Sequence, residues 1–330
     1  MKNNTLKKIV CVIVCLTLVM CLAACGSSKP SSETKIKTIG INQYGEHASL
    51  DNCRIGFLQG LEEAGLKEGV DFKVDYQNAG FDDNVNTQIA ASFAANNVDL
   101  MCGIATPSAV ACFAAAEDKN IPVIFTAISD PVQAKLDSGN ITGTSDKLPV
   151  EAQLDLIRQL QPDAEAIGII YTTSEANSVS TIAEYLEKAP AYGFTIEAIG
   201  VTAQSEVTQA VDTLLSKGVD LFNNLTDNNV VGVLPAILEK TNEAGIPVYG
   251  SEVEQVKLGC VASAGIDYLQ LGRQTGAMAA RVLKGEATCE AIPYETISEY
   301  GIYINSAALA EMNISVPADV AAKAIESSEA

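Results

Sequence analysis

The sequence predicts an α/β protein of two doubly wound lobes, on three observations. Short β-type runs alternate with helix-length segments, most of the runs are apolar on both faces, and the whole alternation occurs twice. Strands without a polar face call for a parallel sheet covered by helices on both sides. The second series also echoes the first. Val98-Asp99-Leu100 leads into "IATPSA" and Val219-Asp220-Leu221 into "LTDNNV", and each unit is followed by "NIPVIF" or "GIPVYG".

The first series reads "KTIGINQY", a helix near 50–66, "FKVDYQ", a helix over 84–96, "VDLMCGI", a helix over 107–119 and "IPVIFTA". The second reads helix 150–160, "AIGIIYT", helix 177–190, "FTIEAIG", helix 205–216, "VDLFNNL", helix 229–244 and "IPVYG". After "CVASAGI" come a long helix near 267–284, stopped by Lys284 and Gly285, and "IPYETISEYGIYIN". The chain is therefore expected to pass between lobes near 145–150, 263–267 and 288–296. That divides it into residues 36–147 plus 266–290 for the first lobe and 148–265 plus 291–330 for the second.

Residues 1–24 read as a secretory signal: three lysines precede an apolar run from Ile9 to Ala24, shorter than the roughly 20 residues of a spanning helix. Leu22-Ala23-Ala24-Cys25 before Gly-Ser-Ser resembles the lipobox of bacterial lipoproteins, which implies a lipid on Cys25 and attachment to the outside of the cell membrane. The alternative is a plain signal peptide cleaved nearby. Residues 25–35 then form a flexible tether rich in small polar residues.

Without its first 24 residues the chain has 306 residues and a formal charge of −23, an acidity that argues against nucleic-acid binding. Five cysteines follow Cys25 with no CxxC and no histidine pair, which supports neither a disulfide framework nor a metal site. His47 is the sole histidine, so a catalytic base for Ser174 is lacking. The turn at "TTSEANS" has no GxSxG elbow, and no strand runs into a glycine-rich phosphate loop. No enzyme, cofactor or metal is expected. His47 either borders the cleft or caps local backbone.

In open parallel sheets, ligands bind beyond the carboxyl ends of the strands, where helix N-termini offer free N–H groups. Here those ends are polar: Gln43-Tyr44, Thr106-Pro107-Ser108, Thr126 to Asp130, Thr172 to Ser178 with Glu175 among them, Thr226-Asp227-Asn228, and Ser251-Glu252. Each segment also suits a helix N-cap, Thr106 before Pro107 especially so. Together they outline an amino-acid site, with hydroxyls and amides for a carboxylate and Asp227 or Asp130 for an ammonium.

The segments "INQYGEHASLD", "GIATPSA", "IPVIFTAISDPVQA", "ITGTSDKLPVEAQLDLI", "GIIYTTSEANS", "LTDNNVV" and "GIDYLQLGRQTGAMA" resemble, in order, a family of ABC-transporter substrate-binding lipoproteins for aromatic amino acids, the tryptophan- and phenylalanine-binding type. The resemblance spans about residues 36–315. It implies a type I periplasmic-binding-protein fold, two Rossmann-like lobes joined by a three-strand hinge, acting as a monomer that presents its ligand to a membrane permease. It implies that Thr106, Ser108, Ser174, Asn177 and Ser178 surround the ligand carboxylate, and that Asp227, or Asp267 in its place, meets the ammonium. Tyr44, Phe125 and Tyr268 are the candidates for an aromatic wall. Ala48 and Leu225 stand where that family commonly has proline, which bears on the identity of the amino acid. The alternatives are a sugar or nucleoside in the same fold, disfavoured by the absence of Trp, or a ligand sensor for a signalling receptor.

Overall fold

The computed structural model describes residues 36–328 apart from position 298. The expected signal sequence, Cys25 and the tether lie outside the described residues.

The chain begins with β1 (Lys37–Gln43), α1 (Ala48–Glu63), β2 (Phe72–Asn78), α2 (Asp83–Ala95), β3 (Leu100–Ile104), α3 (Thr106–Ala116), β4 (Val123–Thr126) and β5 (Ile141–Ser145). These strands are parallel, and β1 lies between β2 and β3. β3 and β4 are buried along their whole length, as runs without a polar face require.

A passage after Ser145 leads to α4 (Val150–Leu160), β6 (Ala166–Thr172), α5 (Ala176–Lys188), β7 (Thr195–Val201), α6 (Val207–Lys217) and β8 (Leu221–Asn223). Then come α7 (Asn228–Val231), α8 (Leu234–Ala244), β9 (Val248–Tyr249), α9 (Val253–Leu258) and β10 (Ala262–Gly265). The second sheet has the order β7-β6-β8-β9 and is also parallel. The single helix expected over 229–244 is two helices. Gly232 ends α7, and Pro235 opens α8 in its first turn, where a missing N–H is harmless. β10 joins this lobe through Val261 N–H to the Val248 carbonyl at 2.8 Å and Gly250 N–H to the Ala262 carbonyl at 2.9 Å.

The chain returns to the first lobe with α10 (Tyr268–Leu283) and β11 (Glu295–Thr296), which pairs with β5 and completes the order β11-β5-β4-β3-β1-β2. It ends in the second lobe with β12 (Gly301–Ile304), α11 (Ser306–Glu311), α12 (Ala318–Ala321) and β13 (Ala324–Glu326). β12 lies antiparallel to β10 and parallel to β13. The third passage follows Ile297, later than the expected 288–296, because Glu295 opposite Thr144 and Thr296 opposite Ser145 keep this segment on the first sheet.

Each lobe buries its own core. Ile39, Phe57, Phe93 and Phe125 belong to the first, and Leu154, Ile169 and Tyr185 to the second. Each such side chain contributes about 1.5–3 kcal/mol by leaving water. In the first lobe α1 and α10 pack backbone to backbone at Gly56, Gly60, Gly272 and Gly276. A Cβ at Gly56 would fall 2.1 Å from the Leu269 carbonyl oxygen, and one at Gly276 2.2 Å from that of Phe57. This contact fixes two helix N-termini, His47–Ser49 and Asp267–Tyr268, relative to each other.

Candidate functional site

Strand ends from both lobes meet around a narrow cavity. His47, Leu50 and Ala127 line it from the first lobe, and Asn177, Thr226 and Asn228 from the second. Asp146, in the first interlobe passage, and Tyr268, just after the second, line it too. The cavity is about 20 Å³, room for roughly one water, so a larger guest needs its lining side chains to move aside and enters by way of a more open form. A wider groove of about 770 Å³ lies outside it, between Tyr44, Thr106 and Pro107 of one lobe and Ser174, Glu175 and Ala176 of the other. The turn over 174–178 therefore serves both spaces, with Asn177 on the inner one.

Strain is concentrated here. Phe81, Ala105 and Ala127, each shortly after a strand of the first sheet, have φ of 63°, 76° and 60°, the left-handed region that side chains avoid. With Ala105 so placed, α3 begins at Thr106 itself, and the Thr106 hydroxyl, buried without a partner, does not act as the expected cap.

His47 precedes α1 but donates no cap bond; both ring nitrogens are buried and neither makes a well-formed hydrogen bond, although the Asn228 side chain lies close enough to act on the ring. Burial holds its pKa down at about 4, against the opposing pull of Asn228 and Asp51, so the ring is neutral. Asn177 Oδ1 is likewise unpartnered. Asp146 is 2 % exposed; Ser129 donates to its Oδ1 at 3.0 Å and the Tyr268 hydroxyl to its Oδ2. Burial raises the Asp146 pKa, partly offset by those two hydroxyls. The cavity thus holds a carboxylate, a neutral imidazole and a free amide oxygen, while among the described residues no lysine or arginine lines it.

Other residues expected to touch a ligand are spent within the protein. Asp227 is fully buried: its Oδ1 accepts from the Thr172 hydroxyl at 2.8 Å and Val230 N–H at 3.0 Å, its Oδ2 from Thr172 N–H at 2.5 Å and the Ser178 hydroxyl at 2.6 Å. It caps α7 and ties it to β6 and α5. Ser108 donates to Asn86 at 2.8 Å, Thr126 receives the Thr144 hydroxyl at 3.3 Å, and Asp130 accepts the Gln133 amide at 2.9 Å. The Gln43 side chain donates to the Gly45 carbonyl at 2.8 Å. Phe125 is sealed in the first core, beside Tyr294 at 6.4 Å, and forms no cleft wall. Asp267 caps α10 and lines a different crevice with Gln270 and Tyr300, so it does not reach the cavity. Tyr44 stands in the outer groove with its hydroxyl on Asp83 at 2.9 Å.

Glu175 sits 2 % exposed in a cage of amides. Asn228 Nδ2 donates to it at 2.6 Å, Asn229 Nδ2 at 3.0 Å and Asn177 Nδ2 at 3.1 Å. Burial first, then the charge of Asp227, pushes its pKa up to about 8. Sequence reasoning named Asn177, Asn228 and Tyr268 at the cavity and Glu175 at the outer groove, but missed Asp146, Gln255 and Ser49, which also line the cavity. Asp146 was open to inference as a lone acid between the strand-like "ITGTS" and "KLPV" in an interlobe passage.

Residues 38–328 match the family described as ABC transporter substrate binding protein. The chain belongs to that family. Members of this ABC substrate-binding family capture solutes outside the cytoplasmic membrane, and among the described residues no helix is long and apolar enough to cross one. A relative called tyrosine-binding protein, from Clostridioides difficile strain R20291, is 38 % identical across 88 % of this chain and 85 % of its own. The solved ABC domain from Streptococcus pneumonia in complex with L-Trp is 33 % identical, covers 88 % of this chain and 99 % of its own, and superposes with a TM-score of 0.84. A ligand-free, open substrate-binding protein with adhesive properties from Clostridium difficile covers 88 % and 100 %; it is 36 % identical yet reaches only 0.65. The backbone follows the ligand-bound relative better than the open one despite lower identity, which agrees with a closed cleft. Asn52 Nδ2 reaching Glu254 Oε1 at 2.9 Å across the lobes is part of that closure.

Proposed function

We propose that this substrate-binding protein captures an aromatic amino acid in the inner cavity and hands it to an ABC permease, working as a monomer held to the membrane by a lipid on Cys25. The observation that carries this reading is the cavity itself: a buried carboxylate with no cation, beside unpartnered polar atoms of His47 and Asn177. An α-ammonium supplies the missing positive charge at Asp146, and a neutral His47 offers one N–H to the α-carboxylate. The ring of Tyr268, with Leu50 and Val231, offers apolar surface to the side chain. The ligands in the names of the tyrosine-binding and L-Trp-bound relatives support the same class.

A melting panel of amino acids, sugars and nucleosides tests it. A ligand at about 100 times its Kd adds about 2.7 kcal/mol to stability, so L-tyrosine, L-tryptophan or L-phenylalanine is expected to raise the Tm and the sugars are not. The chain contains no Trp, so emission from added tryptophan reports on the ligand alone and shifts blue on burial. A panel in which only sugars or nucleosides stabilise the protein refutes the assignment. For the anchor, Cys25→Ala is expected to release the protein into the medium.

A further inference from the structure

Phe81, in the loop between β2 and α2, has no place in the site as expected from the sequence, yet it is built into the closed cleft. Its backbone is held at φ 63°, a conformation an aromatic residue adopts only when its surroundings impose it. Its ring lies over Gly45, where a Cβ would fall 2.0 Å from Cε1, so only glycine leaves room for it. It stacks on His47 with centroids 6.4 Å apart and planes within 6°, and it meets Tyr44 edge to face at 5.9 Å. Its tip then crosses to the other lobe. A Cβ on Gly232 would lie 3.2 Å from Phe81 Cζ and 2.5 Å from Nε2 of Gln204, which is buried without a hydrogen-bond partner. Gly232 follows the short helix α7, whose first residue, Asn228, lines the cavity.

We propose that Phe81 is an interlobe latch and positioning residue. By filling the space that the missing Cβ of Gly232 leaves open it holds the closed form in a way that needs no ligand, and by stacking on His47 it fixes the imidazole plane at the cavity. Contact with the second lobe exists only after closure, so the latch slows release and leaves capture unchanged. The inference rests on the cleft being the amino-acid site proposed above.

The test uses the full chain and the variants Phe81→Gly, Phe81→Ala and Phe81→Tyr. Phe81→Gly removes the ring but also relieves the left-handed strain, which partly offsets the lost packing, so the variant is expected to fold with a urea midpoint at or somewhat below that of the parent. Stopped-flow release of L-tyrosine is expected to be about two- to tenfold faster in Phe81→Gly, the range an aromatic contact supplies, with association unchanged. Phe81→Ala shows the same faster release, and Phe81→Tyr restores slow release. Small-angle scattering of the ligand-free protein is expected to show a larger radius for Phe81→Gly than for the parent. A variant with unchanged release and unchanged ligand-free scattering, or one altered only in association, overturns the latch. If the parent binds no aromatic amino acid, the ligand reading fails, and the scattering comparison still decides whether Phe81 holds the lobes together.

Discussion

Ser178 donates its hydroxyl to Oδ2 of Asp227 at 2.6 Å, and Thr172 closes on the same carboxylate with both its amide and its hydroxyl. Three segments of the second lobe, the end of β6, the first turn of α5 and the start of α7, converge on this one side chain. Its work is to hold the strand ends in place.

Removing that carboxylate strands four buried donors at once. Asp227→Ala is therefore expected to cost about 3 kcal/mol or more of folding stability, measured by urea unfolding. Loss of ligand binding accompanied by an unchanged unfolding midpoint would show instead that Asp227 contacts the ligand directly.

Stability is expected to fall as pH rises from about 5 to 8. Glu175, raised to about 8, and Glu252, raised to about 7 by burial, both carry folded pKa values above the unfolded carboxylate range. A raised acid contributes fully below its unfolded pKa, and the contribution is lost as pH rises through the folded value. His47 works the other way: lowered to about 4, it costs stability only as pH falls below its unfolded value near 6.5. Urea unfolding at pH 5.5 and 8.5 is expected to differ by more than about 1 kcal/mol, and Glu175→Gln is expected to shrink the difference. An equal slope in that variant removes Glu175 as the cause.

The alternation of strands and helices was legible because a buried parallel strand must be apolar on both faces; "AIGIIYT" and the helix over 150–160 fall where that rule puts them. The break between α7 and α8 has its signal in Gly232 and Pro235, which fall inside the single helix expected over 229–244. That polar strand ends of both lobes gather around one cavity was legible too, but not which way their side chains face. Ser108, Thr126, Ser178 and Asp227 all lie at strand ends as expected, and burial there obliges them to satisfy each other first. Asp146 and Phe81 escaped for different reasons. The first lies in an interlobe passage, outside the strand-to-helix pattern, and the second owes its position to a left-handed φ that "AGFDD" does not announce.

The helix pair α1 and α10 makes a prediction away from the cavity. Gly56→Ala puts a methyl 2.1 Å from the Leu269 carbonyl oxygen, contact with backbone that cannot rotate away. The helices must separate, at a cost of about 1–3 kcal/mol, readable as a lower Tm. Because α1 follows His47 and α10 opens at Tyr268, ligand affinity is expected to drop as well. A Tm equal to that of the parent would mean that the two helices slide past each other freely.

Asp146 and Asp267 separate the ligand's positive end from a helix cap. Asp146 faces the cavity with the Tyr268 hydroxyl on one oxygen and no cation beside it, whereas Asp267 is exposed and takes the amides of Leu269 and Gln270 at 2.8 and 3.2 Å. Asp146→Asn keeps the shape but loses the charge an ammonium needs, so affinity for an amino acid is expected to fall by at least about tenfold, some 1.4 kcal/mol. Asp267→Ala is expected to cost about 1 kcal/mol of stability as a lost N-cap and to leave affinity unchanged. Calorimetry on both variants decides the assignment. If Asp267→Ala abolishes binding while Asp146→Asn retains it, the ammonium lies at the hinge crevice and the inner cavity is not its site.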